Sequence, residues 1–267
     1  DYKKKTWNYL IFFASLRRII MNKTAIIIPS RLDAQRFPNK PLKLINNKEM
    51  ILHVYDAAIK SKSGDVYVAS PDQKIIDIVR NNGGIAVKTS SSHQTGTDRI
   101  FEVFEKHLER KPKLIINLQG DMPNIKPEAI SDLVEYMDSG KCDIGTLASN
   151  LESQEKLNNA NIVKVAVKEK LENNIFLKAD DFFRINTNSS YNLYHHIGIY
   201  AFTNKALIRY VSLKRSKLEL ERKLEQLRAL DNKMSIHVGY IKSHPLSVDT
   251  EEDLNEVKNL MKKNEKN

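Results

Sequence analysis

The sequence predicts an α/β fold, a mostly parallel sheet with helices on both faces and a smaller inserted or appended subregion. Three observations lead there. Apolar, β-branched runs at residues 24–28 and 113–118 read as strands buried on both faces. Strand-like and helix-like stretches alternate between and around them, as parallel pairing through crossover helices requires. At 267 residues, 41% of them hydrophobic and 28% charged, the chain can fill one large α/β domain.

The elements follow in order. The strand at residues 24–28 breaks at a proline and enters the run Ile26-Ile27-Ile28-Pro29-Ser30-Arg31-Leu32-Asp33-Ala34-Gln35-Arg36-Phe37-Pro38-Asn39-Lys40-Pro41-Leu42. A rigid strand ending in a loop with Arg31, Arg36 and Lys40 suits a polyphosphate. Taken alone it reads equally well as an ordinary strand followed by a solvated turn. Residues 50–58 have helical apolar spacing, 65–70 read as a strand, and 72–80 as a helix closed by Asn81-Asn82-Gly83-Gly84. A short strand at 85–88 precedes a helix at 97–109, with Ile100, Val103, Phe104 and Leu108 on one face. The strand at 113–118 runs directly into Gln119-Gly120-Asp121, and a helix follows at 126–136. In the second half, 143–149, 163–167, 197–202 and 235–241 read as strands and 217–231 as one helix. A last helix at 250–263 has Thr250 as N-cap and Asp253 at the third helical position. The polar, Asn/Ser-rich stretch 180–193 reads as a mobile loop.

Charge and cysteine content exclude several classes. The net charge of +10 is concentrated at the ends, with +4 in residues 1–20 and +2 in residues 262–267. The +4 left for the rest fits a pocket for a small anion better than a nucleic-acid face. With Cys142 as the single cysteine, no intrachain disulfide and no cysteine-based zinc site can form. Residues 1–20 faintly resemble a signal peptide, but Arg17 and Arg18 follow the apolar stretch at once and no small-residue cleavage site stands out. They read as an upstream extension before a domain at 21–261, with Met21 as natural start and 262–267 as a basic tail. No stretch approaches the ~20 apolar residues of a membrane span, so stable membrane insertion is not expected.

The candidate chemistry lies at strand ends. Asp121 follows a buried strand, where ligands of open α/β sheets bind, and an Asp there suits magnesium. Capping of the next turn is its ordinary alternative. Asp249, just before the last helix, is its natural metal partner. Ser92-His93-Gln94-Thr95-Gly96-Thr97-Asp98-Arg99 offers a glycine, hydroxyls and a helix start to a ligand, and equally a simple Thr97 cap. His195 and His196 precede a strand, where histidines are more often structural. There is no nucleophile–base pair at convincing spacing, no Walker A sequence and no dinucleotide fingerprint. The residues suggest nucleotidyl transfer by positioning and metal-assisted charge neutralisation.

The basic run resembles the signature loop of cytidylyltransferases that activate acidic sugars, and the later blocks resemble the 3-deoxy-manno-octulosonate (Kdo) branch. These blocks are His93-Gln94-Thr95-Gly96-Thr97-Asp98-Arg99, Asn117-Leu118-Gln119-Gly120-Asp121, Asn161-Ile162-Val163-Lys164-Val165, His196-Ile197-Gly198-Ile199-Tyr200, Leu224-Glu225-Gln226-Leu227-Arg228 and Val248-Asp249-Thr250-Glu251-Glu252-Asp253-Leu254. They stand in family order.

The resemblance implies a Rossmann-like three-layer sandwich of the nucleotidyltransferase type with a smaller dimerisation subregion. It implies joining of CTP and Kdo into CMP-Kdo and pyrophosphate for lipopolysaccharide synthesis, in a cytoplasmic homodimer. It also implies roles. Lys40, Arg31 and Asp121 would be catalytic. Arg31, Arg36, Lys40, Gly96, Thr97, Asp98 and Arg99 would hold the nucleotide. Gln119, His196, Tyr200, Glu225 and Gln226 would hold the sugar acid, and Asp121 and Asp249 Mg²⁺. The chain departs from the family pattern at Met122 and Arg222, both for Glu, at Leu177-Lys178 for Ser-Arg, and at Ser247 for Gly. These departures fall mostly on the sugar side. They leave another acidic sugar such as a neuraminate, or a non-catalytic nucleotide-binding relic, as alternatives.

Overall fold

The computed structural model describes residues 23–33, 37–151, 153, 157–173, 175–185 and 191–264. The expectations for residues 1–20, for Arg36 and for the end of the basic tail lie outside the described residues.

Among the described residues, ten strands form one mixed sheet. Its parallel half comprises β1 (Thr24–Pro29), β4 (Asp65–Ser70), β5 (Ala86–Lys88) and β6 (Leu114–Leu118), in the order β5-β4-β1-β6. The sheet continues through β11 (Asn192–Thr203), antiparallel to β6, then β7 (Ile144–Ser149), β12 (Ile236–Tyr240) and β9 (Phe176–Lys178). Off this path, β8 (Lys164–Val167) pairs with the start of β11 and with β10 (Asp181–Phe183). A separate hairpin of β2 (Leu44–Ile45) and β3 (Lys48–Glu49) lies ahead of the first helix.

The central strand β1 shows why the sheet needs two helical layers. All six of its residues are buried, and strand alternation sends neighbours to opposite faces. Ile26 and Ile28 join one core with α1 (Met50–Ser61), α2 (Gln73–Asn81) and α4 (Pro127–Asp138). Ala25 and Ile27 join the other, with α3 (Gly96–Glu102), α5 (Asn204–Ser212) and α7 (Gln226–Asp231). A third, small core unites Phe37 of the basic loop, Ile45 of the hairpin, Met50, Val248, and Leu254 and Val257 of the last helix, α8 (Glu251–Asn264). The result is the expected mostly parallel three-layer sandwich.

Three expectations are corrected. The helix expected over residues 217–231 is two, α6 (Lys217–Arg222) and α7, separated by Lys223 in the left-handed region (φ 55°). Non-glycine residues rarely adopt that conformation, so sequence gave no warning. The helix expected to 109 ends as α3, followed by a π-helical turn at Val103–His107 whose wider winding keeps Val103 and Phe104 buried. The stretch 180–193 is not wholly loop. It contains β10 and the start of β11, because Arg222 ties Asp181 to α6 (2.8 and 2.9 Å) while β10 pairs with β8. Lys262 and Lys263 form the last turn of α8, where cations suit the helix dipole. The cap of that helix is as expected. The Thr250 hydroxyl accepts from the Asp253 N–H (3.2 Å) and Asp253 accepts from the Thr250 N–H (2.8 Å).

One glycine sets the β1–β4 approach. A Cβ on Gly64 would lie 2.4 Å from the Thr24 carbonyl oxygen, a backbone atom fixed in the sheet. Gly64→Ala is expected to cost about 1–3 kcal/mol by overpacking, read as a lower urea midpoint. An unchanged midpoint would show that β4 shifts freely.

Candidate active site

The site forms where β1 and β6 run out side by side. Past β1 the Ser30 N–H donates to the Ala69 carbonyl (2.9 Å), and the Leu32 N–H donates to Asp72 Oδ2 (2.8 Å). The basic loop is thereby held at both flanks of Arg31. It then turns through Asn39, left-handed at φ 56°, into a 3₁₀ turn, Lys40–Leu42, in which Pro41 is buried. This fixed turn aims Lys40 inward. Past β6 come Gln119, Gly120 and Asp121.

Asp249 arrives from the far end of the chain through a backbone clasp. The Val248 N–H donates to the Asp121 carbonyl (2.9 Å), and the Leu246 N–H to Asn124 Oδ1 (2.9 Å). Lys40 Nζ then donates to Asp121 Oδ2 (2.9 Å) and to Asp249 Oδ1 (3.1 Å). Burial opposes the charge on Lys40, but the two carboxylates more than offset it and its pKa lies above the ordinary lysine value.

Two cavities border this bridge, one at Lys40 and Asp121 and the other at Asp249. One, of about 310 Å³, is lined by Ser30, Arg31, Lys40, Gly96, Gln119 and Asp121, with His93, Arg99 and Glu225 also in its wall. Gly96 keeps that wall thin, because a Cβ there would stand 3.3 Å from Pro29 Cγ and 3.7 Å from Gln119 Nε2. The other, of about 410 Å³, is lined by Met122, Asn161, His195, His196, Gly198 and Asp249.

Of the sequence-derived candidates, Arg31, Lys40, Gly96, Arg99, Gln119, Asp121 and Glu225 share the first cavity. Thr97 stands behind it, donating from Oγ1 to Glu225 Oε2 (2.8 Å) and accepting from Asn117 Nδ2 (3.3 Å). Asp98 is turned to the Thr95 hydroxyl (2.8 Å) and does not line the cavity. Arg99 donates to Thr89 Oγ1 (2.6 Å) and the Ser90 carbonyl (2.9 Å), and burial and then Arg31 lower its pKa. Gln226 is buried in α7. Burial raises the Glu225 pKa despite the Thr97 bond, and burial with the facing Glu225 raises the Tyr200 phenol well above its ordinary value.

His196 lies at a bulge. The β11–β7 register shifts between Ile197 and Tyr200, and Thr146 fills the gap. Its hydroxyl donates to the Ile199 carbonyl (2.7 Å) and lies 2.9 Å from His196 Nε2, an arrangement that suits a neutral Nε2–H imidazole. Burial, then the neighbouring His195, pushes the His196 pKa down to about 3. The bulge brings the His196 and Tyr200 rings to 5.4 Å. Arg222 and Lys178, which prompted the alternative sugar, line neither cavity. Arg222 is spent on Asp181 and the Phe182 carbonyl (3.0 Å), and Lys178 is exposed at the sheet edge.

Sequence reading missed two supports. Glu219 is fully buried and takes a two-point bond from Arg228 (2.8 and 2.7 Å), which carries the kinked α6–α7 segment under Glu225. Glu102 accepts from His93 (2.5 Å) and the Ser90 N–H (2.8 Å), fastening the loop ahead of Gly96. A Glu one helical turn after Thr97–Asp98 carries no signal of a partner nine residues upstream.

Residues 25–236 match the family model described as cytidylyltransferase. A 3-deoxy-manno-octulosonate cytidylyltransferase of Brucella canis is 41% identical over 235 residues, covering 87% of this chain and 93% of the relative. The chain belongs to this family. A relative of the same name from Thermodesulfovibrio yellowstonii is 40% identical over 243 residues, covering 86% of this chain and 95% of its own. Among solved structures, a CMP:2-keto-3-deoxy-manno-octonic acid synthetase complexed with CTP superposes at a TM-score of 0.81 with 33% identity, covering 91% of this chain and 99% of that one. A UDP-glucose pyrophosphorylase complexed with UDP-glucose, at a TM-score of 0.65 and 14% identity over 90% of this chain and 99% of that one, shares the fold alone.

The Glu102 latch gives a pH prediction. Burial raises its pKa, but the bonds from Ser90, His93 and Lys106 outweigh this and hold it at about 2 against an ordinary 4.5. The stabilisation is therefore complete above the unfolded value and lost as pH falls from about 4.5 toward 2. Up to about 3 kcal/mol should disappear across that window, and Glu102→Gln should flatten this part of a stability–pH curve. Superimposable curves for the two proteins would refute the latch.

Proposed function

We propose that the chain transfers CMP from CTP to the anomeric hydroxyl of 3-deoxy-manno-octulosonate, releasing pyrophosphate and activating this sugar acid for lipopolysaccharide synthesis. The observation that carries the reading is the Lys40 bridge between Asp121 and Asp249, beside Arg31 and Gln119. It supplies cations for a triphosphate and carboxylates for a metal in a chain whose relatives bear this activity's name. The neighbour that holds CTP supports the nucleotide half.

Magnesium belongs to the proposal. Its donors would be hard carboxylate oxygens, and a cation, the Lys40 ammonium, already finds both of them within reach. Asp121 and Asp249 would hold the ion, which when bound withdraws charge from phosphoryl oxygens and lowers the pKa of a bound hydroxyl.

The remaining work falls to side chains. Arg31 and Lys40 offset the triphosphate charge, and Arg36 is assigned the same task from sequence. Gly96 admits the nucleotide close to the backbone, with Thr97 and Arg99 bracing that wall. Gln119, Glu225, Tyr200, His196 and Gln226 are assigned to the sugar acid. His196 and Tyr200 stay neutral around pH 7, so they act as hydrogen-bonding groups rather than charges. With the hydroxyl aligned on the α-phosphate, positioning and charge dispersal suffice and no dedicated base residue is needed. A homodimer with part of its interface from the region after Val163, and a cytoplasmic location, are parts of this proposal that rest on the family resemblance. No described helix is long and apolar enough to cross a membrane.

Pyrophosphate release from CTP, Mg²⁺ and a panel of sugar acids tests the reading. Turnover is expected with Kdo and not with a neuraminate, and silence at high enzyme with active controls would sink it. Asp121→Ala and Asp249→Ala should each lower turnover by ~100-fold or more, with unchanged far-UV circular dichroism. Lys40→Ala should raise KM for CTP far more than KM for Kdo, and equal effects would mark the lysine as structural.

A further inference from the structure

We propose that Lys40 is the built-in competitor of the metal. Its ammonium occupies the space between Asp121 and Asp249 that a divalent ion must take, and nucleotide binding opens the metal site by drawing the lysine onto phosphate. The inference takes the identity of the ion and of the nucleotide from the function proposed above. The competition itself is argued from geometry.

Lys40 Nζ lies 2.9 Å from Asp121 Oδ2 and 3.1 Å from Asp249 Oδ1, on a side chain only 14% exposed. The loops that carry the two carboxylates are tied together by the Val248–Asp121 backbone bond. Two like charges pinned side by side in a half-buried site need a cation between them. Magnesium binds carboxylate oxygens at roughly 2.0–2.1 Å. An ion held by both carboxylates would need the oxygens that the ammonium already bridges, so the two cations compete for the same donors.

Lys40 has an alternative position. It also lines the cavity that holds Arg31, and a triphosphate there offers it more negative charge than the carboxylates do. A lysine suits the exchange, with a compact charge on a flexible stem. Linkage then makes the effect reciprocal. Nucleotide raises the affinity for metal, and metal releases Lys40 to the nucleotide.

The test is Mn²⁺ binding to the full-length protein without nucleotide, read from the free-ion electron paramagnetic resonance signal. Lys40→Met and Lys40→Gln each remove a positive charge from the site without supplying a ligand of comparable strength. Both are expected to bind Mn²⁺ at least about tenfold more tightly than wild type, with the gain abolished by adding Asp249→Asn. Mn²⁺ should also raise the Tm of each Lys40 variant more than that of wild type, which checks that the variants are folded. Equal or weaker Mn²⁺ binding by both variants, including no detectable binding by any of the proteins, overturns the proposal. Because no nucleotide or sugar is present, these results stand apart from the turnover assay. Failure to release pyrophosphate would remove the proposed reaction without touching the competition, and the reverse also holds.

Discussion

Two carboxylates held together inside a protein repel unless a cation stands between them, and the architecture around Asp121 and Asp249 follows from that constraint. The chain brings the pair together from elements more than a hundred residues apart and neutralises them with Lys40. Each partner is fixed independently. Asp121 lies just past the buried strand β6, Asp249 is clasped to it through Val248, and Lys40 issues from a 3₁₀ turn set by Asn39 and Pro41. The backbone bond holds the two loops together, so their approach does not depend on the lysine. The lysine can therefore change partners without dismantling the site.

The same division appears on the two sides of the bridge. Toward Arg31 the wall combines cationic and polar side chains with bare backbone at Gly96 and Gly120, which pack against Pro29. Toward His196 the wall is a strand bent by a bulge and locked by Thr146. The first surface suits close approach of a phosphate-bearing ligand, the second precise placement of neutral polar groups. The chain's departures from its family are absorbed differently. The reversed charge at Arg222 has found a counter-charge in Asp181, away from both cavities. Met122 instead lines the second cavity as an almost fully buried apolar residue.

Much of this was legible in the sequence. Continuous apolar runs identified the buried strands because a strand covered on both faces has no polar side to show. Asp121 stood out because it follows such a run closely, and Lys40 because it shares the basic loop beyond another with Arg31 and Arg36. What remained hidden depends on long-range pairing or rare backbone. Nothing local marks Lys223 for a left-handed conformation, or Asp181 as the start of an edge strand. Asp249 could be nominated as a metal partner, but its contact with Asp121 rests on a backbone hydrogen bond that side-chain patterns cannot reveal. The neutral state of His196 likewise arises first from burial, with the adjacent His195 adding to it, and no sequence pattern announces that burial.

The smallest of the three cores has a consequence for how this site fails. Phe37, Ile45, Met50, Val248, Leu254 and Val257 are separate from the two large cores on the faces of the sheet, yet they carry the flanks of both Lys40 and Asp249. A packed unit of this size can open while the sheet stays folded. Such an excursion would detach the lysine and one carboxylate in a single step and restore them together on closing. Damage to α8, whose Asp253 and Glu256 also line the second cavity, would then resemble a defect in chemistry and not a defect in folding.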